Sequence, residues 1–131
     1  MLKWKDDYLI GVENIDDQHK KLFEIAEKGF DLLKNDMCID KYDRIILVLE
    51  ELKDYAVYHF KSEEAYMLSI GYKRFISHKV EHDEFIEKVT NADLKKIDID
   101  QDAYLMSLLE FIINWTCDHI LKNDKLITSL N

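Results

Sequence analysis

The chain has 131 residues, 47% of them hydrophobic and 34% charged, a balance that suits one globular domain built around one core. Its formal net charge is −9 before any metal is counted. That disfavours nucleic acid, which requires a Lys/Arg patch, and it disfavours anionic membrane surfaces.

There are no prolines and only three glycines, so nothing reads as a linker and long helices are favoured. Residues 1–11 (MLKWKDDYLIG) lack the apolar run of a signal peptide. No segment approaches the roughly 20 apolar residues of a membrane span, and a cytoplasmic protein is the expectation. Cys38 and Cys117 are too few for a disulfide framework. Both read as ordinary thiols, with Cys117 expected to be buried.

In chain order, residues 1–15 form an arm whose Trp4, Tyr8 and Ile10 are expected to fold back over one end of the domain. Apolar residues then recur at helical spacing in four segments. The first, about 16–37, carries His19, Leu22, Phe23, Ala26, Phe30, Leu33 and Met37, with Asp16 or Asp17 as its cap. The second, about 41–70, carries Ile45, Leu49, Leu52, Ala56, His59, Glu63 and Met67, and Gly71 stands where a helix commonly ends. The third, about 72–91, carries Phe75, His78, His82, Phe85 and Val89. After a KIDID loop, with Asp100 as a cap, the fourth, about 101–124, carries Leu105, Leu108, Ile112, Trp115 and His119. Four amphipathic helices with short connections predict an all-α, up-down-up-down four-helix bundle with an N-terminal arm, one domain over 1–131.

All five histidines fall on these apolar stripes, so their side chains point inward together. His59 and Glu63 are four apart, as are His78 and His82, and residues four apart share a helix face. A single inward histidine is ordinarily a hydrogen-bonded core residue. Five of them with two acids are harder to house, because an ionised carboxylate buried without a partner costs several kcal/mol. Bound cations resolve that conflict.

The donor set exceeds what one ion takes in a compact site, and tetrahedral zinc needs only four ligands. Imidazole with carboxylate suits Fe, Zn or Mn, and the absence of a cysteine cluster argues against iron–sulfur. Two six-coordinate ions have about twelve positions. The histidines fill five, two bridging carboxylates four and a bridging oxide or hydroxide two, leaving one open for a small molecule. His119 and Asp124 are less tidy. Five residues place them about 140° apart on an α-helix, so a local departure from α geometry, such as a π-bulge, is required between them.

The pattern H…HxxxE…HxxxH…HxxxxD resembles the hemerythrin family in its single-domain bacterial form. Supporting stretches are Trp4 with GVENIDDQHKKLF, HFKSEEAYM, and Trp115 and Leu121 flanking His119. The resemblance covers nearly the whole chain and includes all seven ligand positions: His19, His59, Glu63, His78, His82, His119 and Asp124. It implies a non-haem di-iron centre, with a bridging oxide or hydroxide, that binds O₂ reversibly. It further implies that His78, His82 and His119 hold one iron, that His19 and His59 hold the other with its open position, and that Glu63 and Asp124 bridge them.

An O₂ carrier must keep water and protons from its site. Leu22, Phe60, Trp115, Ile120 and Leu121 are the candidate wall, with Leu121 the foremost. The leading reading is therefore O₂ carriage, storage or local delivery, with O₂ as the ligand and no catalytic residue. The alternatives are an O₂ or redox sensor acting through a separate protein partner, and a di-iron peroxidase or NO-reducing enzyme. No ExxH motif of the carboxylate-rich di-iron oxidases is present.

Overall fold

The computed structural model describes residues 4–34, 42–91 and 101–129. A 3₁₀ turn, Asp6–Tyr8, precedes α1 (Glu13–Lys34), α2 (Tyr42–Ser69), α3 (Phe75–Thr90) and α4 (Gln101–His119). A π-helical turn (Ile120–Asp124) and a short α5 (Lys125–Ser129) follow without interruption. Helix α1 packs on α2 and on α4, and α2 packs on α3. The result is an all-α four-helix bundle, with no strand among the described residues. No helix among them is long and apolar enough to cross a membrane.

The helix ends differ from the sequence reading in instructive ways. Helix α1 begins at Glu13, three residues ahead of the expected start. Asp16 is therefore not a cap but lies within the first turns. Its carboxylate turns back to accept the N–H groups of Ile10 (2.8 Å) and Gly11 (3.2 Å), with Gly11 at φ 94°. This ties the arm to the helix it precedes.

Helix α2 ends as Gly71 suggested. Gly71 lies at φ 66°, its N–H bonds to the Leu68 carbonyl at 3.2 Å, and the Tyr72 N–H bonds to the Met67 carbonyl at 2.9 Å. That pairing satisfies the last carbonyls, and the accompanying apolar contact is present in the cluster of Met67, Tyr72 and Ile127. Tyr72 is thus committed to closing α2, and α3 starts at Phe75 rather than Tyr72. The KIDID loop, Asp100, Met37 and Cys38 lie outside the described residues.

Apolar layers stack along the bundle. Ile45, Leu49, Leu32, Leu105 and Leu109 fill one end. Here Gly29 of α1 admits Leu109 so closely that a Cβ would stand 2.9 Å from its Cδ2. Ile25, Leu52, Ala56, Phe60, Phe85, Val89 and Ile112 form the middle. Ile10, Ile15, Phe23 and Ile120 close the other end, with Trp4 and Tyr8 packed against them. Trp4, Tyr8 and Phe23 meet at centroid distances of 5.2–5.5 Å. Each fully buried aliphatic side chain contributes on the order of 1.5–3 kcal/mol, so these layers hold the helices in register around whatever lies between them.

Candidate metal centre

Between the middle layer and the arm the apolar core is interrupted by polar side chains. His19 from α1, His59 and Glu63 from α2, His78 and His82 from α3, His119 from α4 and Asp124 from the π turn are all buried, both acids at 0% exposure. The i,i+4 spacing delivers the pairs from α2 and α3. The π turn delivers Asp124: the Lys125 N–H reaches the Ile120 carbonyl, an i→i+5 bond that carries residues five apart onto one face. This is the departure from α geometry that the spacing of His119 and Asp124 requires.

The seven donors divide into two sets that share both acids. One comprises His78, His82 and His119 with Glu63 and Asp124, the other His19 and His59 with the same two acids. Each carboxylate splits its oxygens between them. Glu63 Oε1 lies 2.6 Å from His78 Nε2 and 3.1 Å from His82 Nε2, while Oε2 lies 3.3 Å from His59 Nε2 and 3.6 Å from His19 Nε2. Asp124 Oδ1 lies 3.0 Å from both His78 and His119 Nε2, while Oδ2 lies 3.1 Å from His19 Nε2.

The spacing of the nitrogens is informative. Imidazole nitrogens about 2.1 Å from a shared ion stand about 3.0 Å apart at octahedral corners and about 3.4 Å apart at tetrahedral ones. His119 Nε2 is 3.0 Å from His78 Nε2 and 3.1 Å from His82 Nε2. His119 therefore stands as close to each of the other two as donors that share one ion. Without a cation, the same crowding leaves polar atoms stranded. Both ring nitrogens of His19, Glu63 Oε2 and both Asp124 oxygens are buried without a hydrogen-bond partner. Their contacts with one another are close acid–imidazole pairs that lack hydrogen-bond direction, and ions between the two sets would give all of them but His19 Nδ1 a well-directed partner. The residues fit a metal group.

The charges answer one another. Burial pushes the Glu63 carboxyl up, but the imidazoles of His119, His19, His59 and His78 hold it well below the ordinary value. Burial and the nearby Glu63 push Asp124 the same way, and His119 and His19 hold it far below its ordinary value. Conversely, burial opposes charge on His19, His78 and His119, yet Asp124 and Glu63 raise the first two to about 9 and the third to about 10. His59 shifts the other way, because burial outweighs its contact with Glu63. Acids and imidazoles thus favour one another's charged forms, as a cation between them would favour the ionised acids.

A further ring of partners orients the imidazoles, and the sequence reading did not single it out. His59 Nδ1 meets Gln18 Oε1 at 2.8 Å, His82 Nδ1 meets Glu64 Oε2 at 2.9 Å, and His119 Nδ1 meets Glu81 Oε2 at 3.1 Å. Asn123 Nδ2 donates to Glu81 Oε2 at 2.7 Å and steadies it. Ligation through Nε2 requires each Nδ1 to carry its proton and donate it to the oxygen. The signal was present: each partner directly adjoins a ligand in sequence (Gln18–His19, Glu63–Glu64, Glu81–His82). Each, however, serves the histidine of the next helix. Phe60 stacks on His82 at 3.9 Å and Trp115 on His119 at 4.5 Å, fixing both rings from their faces.

A narrow apolar cavity of about 20 Å³ adjoins the two-histidine set. It has room for a small molecule, since one water needs about 10–15 Å³ by this measure. Its lining includes His19 and His59 and, from the three-histidine set, His119 alone. Leu22, Phe60, Trp115 and Ile120 stand in its wall. Leu121 does not: it is 43% exposed and outside the lining. The π turn explains the correction, because its additional residue bulges outward, leaving Ile120 at 1% exposure and Leu121 facing solvent. Cys117 is also corrected. It is a free, half-buried thiol whose S–H donates to the Tyr8 hydroxyl at 3.4 Å.

Comparison with known proteins agrees with this geometry. Residues 10–130 match the family model described as the hemerythrin HHE cation binding domain. The bacteriohemerythrin of Clostridium acetobutylicum is 50% identical over 125 residues, covering 95% of this chain and 97% of the relative. That of Methylococcus capsulatus is 37% identical over 117 residues, covering 85% and 81%. A wild-type hemerythrin crystal structure superposes with a TM-score of 0.80 at 34% identity, covering 98% of this chain and 96% of that one. The chain belongs to the hemerythrin family.

Proposed function

We propose that this protein binds O₂ reversibly at a non-haem di-iron centre and serves as a carrier, store or local supplier of O₂. One observation carries the reading. Two buried carboxylates each divide their oxygens between a three-histidine and a two-histidine set, and an apolar cavity adjoins the set with fewer donors. His78, His82 and His119 would hold one iron, His19 and His59 the other, and Glu63 and Asp124 both. When bound, the pair of ferrous ions supplies the electrons that O₂ takes up and returns on release.

The protein's own residues make that exchange reversible. Phe60, Trp115, Leu22 and Ile120 line the cavity with apolar surface and exclude the water and protons that would displace O₂. The histidine-rich set differs from the carboxylate-rich sites of di-iron oxidases, which draw on paired ExxH motifs. Fewer anionic ligands stabilise high iron oxidation states less, which favours binding over O–O cleavage. With only two cysteines the chain carries no disulfide framework, and we place the protein in the cytoplasm.

Iron content tests the assignment. The wild-type chain should hold about two irons, and His78→Ala and Glu63→Ala should each lose most of that iron, because a preformed ligand set is what makes binding favourable. Full iron retention in both variants would mean that other residues form the site.

A further inference from the structure

The partners behind the imidazoles are not distributed evenly. In the three-histidine set, two of the three rings donate their Nδ1–H to carboxylates, His82 to Glu64 at 2.9 Å and His119 to Glu81 at 3.1 Å. In the two-histidine set, His59 donates to the neutral amide of Gln18 at 2.8 Å, and His19 Nδ1 has no partner at all. The Gln18 amide is fixed in this sense, because its Oε1 must face the His59 N–H, which leaves its buried Nε2 without a partner. The pattern runs from each helix to the next: α1 supplies an amide to α2, α2 a carboxylate to α3, and α3 a carboxylate to α4.

A carboxylate that accepts the outer N–H of a ligating imidazole makes the ring a stronger electron donor and places a negative charge near the ion. Both effects stabilise Fe³⁺ relative to Fe²⁺. An amide accepts the same proton without the charge. We infer that Glu64, Glu81 and Gln18 give the two irons different reduction potentials. Glu64 and Glu81 make the iron of His78, His82 and His119 the first to give up an electron, while the iron beside the cavity stays ferrous. The inference rests on the di-iron reading above. In the half-oxidised protein one electron has left that first iron for an external acceptor, and its ligands stay in place. The consequence for O₂ is a division of labour: the iron remote from the cavity is the readier electron source, and the iron at the cavity keeps the oxidation state that binds the gas. Glu64, Glu81 and Gln18 are positioning residues, since none of them touches the ions or the cavity.

The test is an anaerobic redox titration of the iron-loaded protein with ferricyanide, which is reduced to ferrocyanide. The half-oxidised species is followed by electron paramagnetic resonance, and iron is counted before each titration. The wild type should show two separated one-electron steps. Glu64→Gln and Glu81→Gln keep a hydrogen-bond acceptor for the imidazole and remove only the charge. Each should raise the first step more than the second and narrow the gap. Gln18→Glu adds a charge on the other side, so it should lower the second step and narrow the gap as well, a gain that misfolding would not mimic. Full iron loading with an unchanged gap in all three variants would overturn the inference while leaving the di-iron site intact. A wild type that does not hold two irons would overturn the site assignment and the inference with it.

Discussion

Loading iron into the metal-free chain should expel protons from the imidazoles that the two acids now hold charged. His19 and His78 stand at about 9 and His119 at about 10, because Glu63 and Asp124 face them in a buried site. At pH 7 these raised groups favour their protonated forms. Only neutral imidazole ligates, so their protons must leave when iron enters. Glu63 and Asp124 are already ionised and His59 is held neutral by burial, so they add none. Because His78 and His119 Nε2 stand 3.0 Å apart and can hold only one proton between them, iron(II) binding at pH 7 should release about two protons from these rings, and one more if a water supplies a bridging hydroxide.

The sign of the pH dependence follows. In the metal-free chain the raised histidines contribute stability that is complete below their unfolded value of about 6.5. It is lost as pH rises through about 9 to 10. Glu63 and Asp124 act oppositely, contributing above the ordinary carboxylate range and losing that contribution as pH falls. Iron affinity should rise steeply from pH 7 and flatten only above about 10, while the metal-free chain weakens over the same interval. Anaerobic calorimetry of Fe²⁺ binding in two buffers of different ionisation heat measures the proton count. Release of fewer than about one proton would refute the picture of an acid–imidazole cluster awaiting a cation.

Four substitutions test the packing, hydrogen bonding and backbone around the site. Ile120→Ala should cost about 2–5 kcal/mol and shorten the lifetime of the oxygenated form, because Ile120 is buried in the cavity wall. Leu121→Ala, at a solvent-facing position, should leave both within error; the reverse ranking in denaturation and autoxidation assays would contradict the π-turn register. Asp16→Ala strands the Ile10 N–H and should cost about 1–3 kcal/mol, with a change in Trp4 fluorescence as the arm loosens. Unchanged stability and emission would mean the arm is held by its apolar contacts alone. Gly71→Ala meets no atom within 4 Å, so its cost is the left-handed backbone itself, about 1–2 kcal/mol in chemical denaturation.

How much of this was legible in the sequence depends on the range of the physics involved. His59 with Glu63 and His78 with His82 were readable because helical period alone puts each pair on one face. The misfit of His119 and Asp124 was readable for the same reason, and it pointed to the π turn. What lay on the outer side of that turn was not readable. Whether Leu121 or Ile120 faces inward depends on where the additional residue bulges, which packing against Phe23 and the arm decides. Asp16 was misread as a cap because its true partners, the Ile10 and Gly11 N–H groups, depend on the arm doubling back. Glu64, Glu81 and Gln18 escaped notice because each acts on a neighbouring helix, and pairing between helices is a tertiary fact. The division of histidines into three and two rested on family resemblance until side-chain distances separated the sets.

The central claim is reversible O₂ binding at a di-iron site, and one spectral series tests it most directly. Iron-loaded protein should be examined by absorption spectroscopy without O₂, after O₂ is admitted, and after the solution is purged with argon, with metal analysis alongside. Reversible binding predicts about two irons per chain and a charge-transfer band that appears with O₂ and disappears on purging, through repeated cycles and without added reductant. A band that never forms, or one that persists after purging until a reductant is supplied, would contradict the account.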